Sequence, residues 1–375
     1  MKILFYFGGF APIGGIETFC KNLLSYLQTR GYDCTLLCWG KKSPLLQFIQ
    51  QAKVQIVRSP WHWGCRWNLP DWMLLSIGLQ QVKHADIVLF GKLFPLRILK
   101  WLRAKSGSRT RFVYITPYRP LQPKTAVEKS RILEAFNLFD VIFVQSVSFV
   151  NELYSIGYQG RSEVIPYIPQ KPGKIKPFPP KENLKIGFLG RLVKAKNISL
   201  LLRSFHRLQD KYLRKSGSED REKSQPSLHL FGDGYLRQEL EQLAQHLGIA
   251  ASVVFHGSVP NGEIEEAIAS CHLFAFSSRS EGQCLAALEI LACGRPIVAT
   301  DAGALPDILS DSRLGRLVPA ANHENFAAKL MEVVKLINEQ SISPETIRSA
   351  YLERYEPERV GDRYRELLIS LCSES

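Results

Sequence analysis

The stretch HLFAFSSRSEGQCLAALEILACGRPIVAT, residues 272–300, reads as strand, loop, helix and strand in turn. HLFAFSS and RPIVAT are short and almost continuously apolar, as strands of a parallel sheet covered on both faces are. Between them the loop RSEGQC leads into the helix LAALEILACG. A strand that returns through a helix to another strand is the repeating unit of a doubly wound α/β fold. The helix poses a question of its own. Cys284, Leu285, Ala286, Ala287, Leu288, Ile290, Leu291 and Ala292 are apolar, yet Glu289 stands among them. A helix apolar all round is buried on every side, and a buried carboxylate without a hydrogen-bond partner costs several kcal/mol. Glu289 therefore needs a partner, either another protein group or a polar ligand.

The same alternation runs outward in both directions. KILFYF, CTLLC, VQIV, DIVLF, RFVYIT and VIFVQ are strand candidates in the first half, and LKIGFLG, LHLFG, SVVFHG, HLFAFS and RPIVAT in the second. Between the halves, IPYIPQKPGKIKPFPPKEN (165–183) is rich in proline and lysine and has no periodicity, which makes it the best linker in the chain. The expected architecture is α/β, with two doubly wound, Rossmann-like domains over residues 1–168 and 184–355, a linker over 169–183, and a cleft between facing domains. Ligands in such sheets bind outside the carboxyl ends of the strands. A polar stretch, KSGSEDREKSQP (215–226), reads as a solvated loop inside the second domain.

With 375 residues, 45% of them hydrophobic and 22% charged, the chain can bury two sizeable cores and does not read as disordered. It holds no apolar run long enough to cross a bilayer as a helix. The opening MKILFYFGGFAPIGGIETF is interrupted by glycines and has no small-residue cleavage site, so it does not read as a signal peptide. The eight cysteines form no C-x-x-C pair and lie mostly in apolar segments, which favours reduced thiols in a cytoplasmic protein. A net charge of +13 predicts attraction to phosphorylated ligands, anionic lipid or nucleic acid without choosing among them.

Several strand ends carry residues suited to a phosphorylated ligand. After the first strand come Gly8, Gly9, Gly14 and Gly15, where backbone can approach a ligand and a helix N-terminus can face an anion. After LKIGFLG, Gly190 leads into Arg191 and Lys196, two cations that suit a diphosphate. Gly232 and Gly234 follow the next strand, and Val259 lies in the loop after the one beyond it. Glu281 falls in the loop after HLFAFSS, beside the helix N-terminus at Gly282 and Gln283. A carboxylate accepts hydrogens from two vicinal hydroxyls, so a ribose or hexose would satisfy Glu281 and Glu289.

The E-x7-E spacing of Glu281 and Glu289, in this strand, loop and helix setting, resembles the signature of the retaining GT-B glycosyltransferases of glycosyltransferase family 4. GGIE near the start, GRLVKAK after the linker, SEGQCLAALEILACGRPIVATDAG and a terminal YEPERVGDRYRELL extend the resemblance along the chain. It implies a nucleotide-sugar donor, UDP- or GDP-linked, and no further cofactor. It assigns Glu281 to hydroxyls of the donor sugar, and Gly282, Gln283, Cys284 and Leu285 to sugar and phosphate. Glu289 would bind the ribose, and Arg191 and Lys196 would neutralise the diphosphate as the sugar leaves. Gly14 and Gly15 would approach that diphosphate from the first domain, Gly190 and Gly232 would line the site, and Val259 would flank the base. The terminal helix, about 356–375, would cross back onto the first domain.

Three positions depart from the family's pattern. Asn197 stands where a glycine usually follows the lysine, Ala302 replaces one glycine of a pair while Gly303 is kept, and Tyr118 stands where a histidine commonly follows RFVYIT. Tyr118 and Arg119 are candidate contacts to the sugar and phosphate. No D-x-D pair occurs, so no metal is expected and the basic pair would take its place.

WHWGCRWNLPDW places Trp61, Trp63, Trp67 and Trp72 beside Arg66, and KLFPLRILKWLRAKSGSRTR mixes apolar and basic residues. Together with the net charge they point to docking on an anionic membrane surface, at the inner face of the cell membrane, and to a lipid-linked or saccharide acceptor. The non-enzyme alternative is a catalytically silent sugar-binding or assembly subunit. An epimerase of the same fold would need an acid and a base that are not located here. Nucleic acid would explain the charge but not Glu281 and Glu289, and it is not an expected partner.

Overall fold

The computed structural model describes residues 1–9, 15–39, 55–58, 79–116, 123, 125–181, 183–215, 225–319 and 322–374. The chain divides into two compact units: unit 1 comprises Met1–Pro169 and Pro357–Ser375, and unit 2 comprises Gln170–Glu356. The inserted loop at 215–226 falls almost wholly outside the described residues, as do Trp61, Trp63, Arg66, Trp67 and Trp72.

Unit 1 is built on the strands β1 (Lys2–Gly9), β2 (Asp33–Trp39), β3 (Gln55–Arg58), β4 (Ile87–Phe90), β5 (Arg111–Ile115), β6 (Val141–Val144) and β7 (Ser162–Val164). They form one parallel sheet in the order β3-β2-β1-β4-β5-β6-β7. Its described helices are α1 (Gly15–Thr29), α2 (Leu96–Lys105), α3 (Ala126–Phe136), α4 (Val147–Ser155) and, from the far end of the chain, α12 (Pro357–Ser373). In β4 and β6 every residue is buried, which is why their sequences are apolar without alternation. Helix α2 turns Ile98, Leu99 and Leu102 into this core and leaves Arg97, Lys100 and Lys105 exposed, while Arg103 is half-buried against Asp140 and the Phe112 ring. Helix α12 is fastened to unit 1 by polar bonds at both ends. Tyr26 Oη donates to Asp362 at 2.6 Å, and Arg111 Nε donates to the Leu371 carbonyl at 2.9 Å. Between these bonds Tyr364 is fully buried against Phe19 and Phe143.

Unit 2 holds β8 (Lys185–Leu189), β9 (Ser227–Phe231), β10 (Val253–Gly257), β11 (Leu273–Phe276), β12 (Ile297–Thr300) and β13 (Gly315–Val318). They too form a parallel sheet, in the order β10-β9-β8-β11-β12-β13. Its helices are α5 (Ile198–Lys215), α6 (Arg237–His246), α7 (Ile264–Ala269), α8 (Leu285–Ala292), α9 (Leu305–Ile308), α10 (His323–Asn338) and α11 (Pro344–Tyr355). In each sheet the strand order reverses beside the first strand, between β1 and β4 and between β8 and β11. These switch points are where an open α/β sheet leaves a crevice at its carboxyl edge.

Part of the proline-rich stretch read as a free linker is fixed to unit 2. Arg295, the largest fully buried side chain among the described residues, donates to the carbonyls of Lys176 at 2.9 Å and Pro177 at 2.7 Å, and to those of Ala269, Cys271, Cys293 and Gly294. Its guanidinium also lies 5.2 Å from the centre of the Phe178 ring. Burial lowers its pKa to about 10, so it stays charged at neutral pH. Gly173 adds two bonds, its N–H to Glu265 at 3.1 Å and its carbonyl to Arg348 at 2.6 Å. Arg295→Met would leave these carbonyls without a donor. The variant is expected to lose at least about 2 kcal/mol of unit 2 stability in denaturant titration and to become open to trypsin after Lys174, the Lys176–Pro177 bond being resistant to it. Unchanged cleavage would show that the segment is held by something else.

Candidate functional site

The carboxyl ends of β8 and β11 meet at the unit 2 switch point. β8 is followed by Gly190 and Arg191, which lead into a short 3-10 turn, Lys194–Lys196. β11 is followed by Ser277 and Ser278 and then by the loop that carries Glu281. Backbone and hydroxyl bonds tie the two loops together. Arg279 N donates to the Ala195 carbonyl at 2.8 Å, and Ser277 Oγ reaches the carbonyls of Lys196 at 3.0 Å and Asn197 at 2.9 Å.

Lys196 and Glu281 face each other across this junction. Lys196 Nζ lies 2.6 Å from Glu281 Oε1 and 2.7 Å from Oε2, and Ser278 Oγ donates to Oε1 as well. Glu281 is only 7% exposed, so its charge depends on these partners. Burial works against the Lys196 charge, but Cys284 and Glu281 outweigh it and its pKa is raised. Burial pushes the Cys284 thiol far up, which keeps it neutral, so Glu281 is the partner that holds the lysine charge. Arg191, by contrast, is exposed, and its guanidinium has no hydrogen bond or ion pair among the described residues.

The turns around the pair require unusual backbone. Gly303 sits at φ 58°, and a Cβ there would lie 2.2 Å from the Glu281 carbonyl. Gly232, at φ 132°, would place a Cβ 2.0 Å from the Gly190 carbonyl, so the loops after β8 and β9 can touch only because it is glycine. Asn197 adopts φ 49°, the left-handed conformation that a glycine commonly supplies and that asparagine tolerates. The departure from the family's pattern at this position thus preserves the turn. Cys284 is also left-handed, at φ 58°, and introduces α8, whose N-terminus has no side-chain cap. Gly282, Gln283 and Leu285 flank it, and Val259 follows β10, half-buried against the unit 2 core.

Glu289 answers the question raised by the helix. It lies in the middle of α8, half-buried, and its carboxylate has no hydrogen bond or ion pair among the described residues. Burial raises its pKa from 4.5 to about 7. Gly15 is the first residue of α1, while Gly14, Tyr118 and Arg119 lie outside the described residues. Ser277 and Ser278 were not singled out in the sequence, although two serines closing an apolar strand are a signal of a polar strand end.

The comparisons with known proteins agree with this architecture. The galactosyltransferase WaaB of the lipopolysaccharide outer core superposes with a TM-score of 0.77 at 18% identity, covering 99% of each chain. Anabaena HepE in complex with UDP gives 0.75 at 16% identity, covering 99% of this chain and 100% of that one. The fold is that of the GT-B glycosyltransferases. The chain belongs to glycosyltransferase family 4: the model for Glycosyltransferase Family 4 matches residues 13–167, and that for Glycosyl transferases group 1 matches 171–345.

Among curated relatives, the D-inositol 3-phosphate glycosyltransferase of Corynebacterium jeikeium is 31% identical over 154 residues, 40% of this chain and 35% of that protein. The chain thus spans about a third of the length of that relative. The GDP-mannose-dependent alpha-(1-6)-phosphatidylinositol monomannoside mannosyltransferase of Mycolicibacterium smegmatis is 24% identical over 331 residues, covering 81% of each.

The raised pKa of Glu289 has a definite sign. Because the folded value lies above the unfolded one, its contribution to stability is complete below pH 4.5 and is lost as the pH rises through about 7. Glu289→Gln removes that dependence. Its unfolding midpoint is expected to overtake that of the parent protein between pH 4.5 and 7, and to exceed it at pH 8 by the equivalent of about 1–3 kcal/mol. A difference that stays constant across this range would mean that Glu289 is already paired.

Proposed function

We propose that the protein is a retaining glycosyltransferase that moves a sugar from a UDP- or GDP-linked donor to a lipid-linked or saccharide acceptor, with no metal or further cofactor. The observation that carries this is the unpartnered, half-buried Glu289 carboxylate on the helix that follows Glu281. Ribose hydroxyls are the partners it lacks. The neighbours support the donor class: HepE binds UDP, and the Mycolicibacterium smegmatis relative is described as GDP-mannose-dependent.

In this reading the uncapped N-terminus of α8, at Cys284 and Leu285, offers amides to the diphosphate. Arg191 supplies a free guanidinium. Lys196 spends two of its three N–H donors on Glu281 and keeps the third for a phosphate oxygen. Glu281, held in place by Lys196 and Ser278, accepts from hydroxyls of the donor sugar. As the bond from the anomeric carbon to the diphosphate oxygen breaks, the acceptor oxygen bonds to the same face of that carbon. Bonding to the face that the leaving group vacates is why the sugar keeps its configuration, and the acceptor's proton passes to the leaving phosphate oxygen. The two cations stabilise the negative charge that develops.

Because Arg191 is exposed and makes no contact that the fold needs, it separates chemistry from folding. Arg191→Ala is expected to lower turnover of the donor that proves active by about 100-fold or more. Its unfolding midpoint should stay within about 1 °C of the parent protein. A panel of UDP- and GDP-sugars, read by hydrolysis and by binding, supplies the test. Donor binding without turnover would favour the silent sugar-binding subunit, and no binding by the intact protein would remove the donor site.

The acceptor side is proposed to dock on anionic lipid at the inner face of the cell membrane. No described helix is long and apolar enough to cross a membrane. Since α2 has already committed Ile98, Leu99 and Leu102 to the core, its share of the attraction comes through exposed basic residues such as Arg97 and Lys105. Binding to vesicles containing phosphatidylserine is therefore expected to fall at least about tenfold between 0.05 and 0.3 M salt. Salt-resistant binding would instead indicate apolar insertion.

A further inference from the structure

The carboxyl edge of the unit 1 sheet contains a buried amide group that the protein does not satisfy. Gln145 directly follows β6 and is 5% exposed. Its Oε1 accepts from Thr116 Oγ1 at 3.1 Å, while its Nε2 has no hydrogen-bond partner among the described residues. Thr116 directly follows β5, the neighbouring strand. Its hydroxyl is also 3.4 Å from the Phe143 carbonyl, and its own carbonyl accepts from Tyr167 Oη at 2.8 Å. These bonds fix one side of the amide and leave the other unpaired. Reversing the amide would only transfer the unmade bond from nitrogen to oxygen.

The next residues along the chain show no such deficit. Ser146 Oγ pairs with Ser148 Oγ at 2.7 Å and caps α4 by accepting from Phe149 N. Thr116 and Gln145 close adjacent parallel strands at the edge where a doubly wound sheet takes its ligand. The charged groups assigned to the donor, Arg191, Lys196, Glu281 and Glu289, all belong to unit 2. Resting on the proposed transferase reading, we infer that Gln145 Nε2 donates a hydrogen bond to an oxygen of the acceptor substrate, so that Gln145 is an acceptor-specificity residue of unit 1. The amide is unpaired in the free protein because its partner arrives with the acceptor. An apolar residue at this position would fold more stably and recognise less.

The test uses the full chain, UDP- and GDP-hexose donors, and inositol 3-phosphate and free inositol as acceptor probes. Gln145→Leu is expected to raise the unit 1 unfolding midpoint by about 2–4 °C, since it removes an unmet hydrogen bond. Donor hydrolysis should change less than about twofold, and KM for the acceptor should rise at least about tenfold. Gln145→Glu separates the two kinds of ligand oxygen. If the amide meets phosphate, this variant should lose more with inositol 3-phosphate than with free inositol, and if it meets a hydroxyl, both should suffer alike. A lowered midpoint in Gln145→Leu, an unchanged acceptor KM, or an effect confined to donor KM would overturn the inference. If the parent protein binds no nucleotide sugar, the transferase reading fails separately, and a lowered midpoint counts against Gln145 even then.

Discussion

An ammonium and a carboxylate, Lys196 and Glu281, share a buried position at the switch point of the unit 2 sheet, and the loops there are arranged around them. The two residues come from strand ends far apart in sequence, β8 and β11, that the sheet order makes neighbours. Taking both charges out of water is unfavourable unless each is fully bonded. That requirement accounts for the surrounding detail. Ser278 fills a further lone pair on Glu281, Ser277 holds the lysine's own backbone, and Gly303 lets a third loop approach the Glu281 carbonyl.

The two glutamates of the E-x7-E pattern stand in opposite conditions. Glu281 is satisfied by protein groups, whereas Glu289, about one turn along α8, is satisfied by none among the described residues. Spacing records only that two carboxylates recur eight residues apart. The structure distinguishes one bonded by Lys196 and Ser278 from one whose pKa burial raises.

How far the sequence could be read follows from where each residue lies. Every strand expected from apolar runs is present, because strands buried on both faces write themselves as unbroken hydrophobic segments. The two that were missed, β7 (SEV) and β13 (GRLV), are the last edge strands of their sheets. They are short and half-polar, so they carry no such run. Glu289 was legible because a charge inside an apolar helix is locally anomalous. Arg295 was not, since an arginine ahead of a strand looks like an ordinary boundary, and only the fold shows six carbonyls converging on it. Gln145 was equally silent: nothing in VIFVQ says that one end of its amide is unpaired.

The two family models break between residues 167 and 171, close to the unit boundary at Pro169 and Gln170, and neither reaches α12. Yet that helix buries Tyr364 against Phe19 and Phe143 and fills the bonding needs of Tyr26 and Arg111. Since the chain emerges from the ribosome in order, all of unit 2 is made before the segment that completes unit 1. Of the two units, the one whose strands are made first is therefore finished last, and Phe19, Phe143 and Tyr26 lack the helix that covers them for as long as translation of the other unit takes.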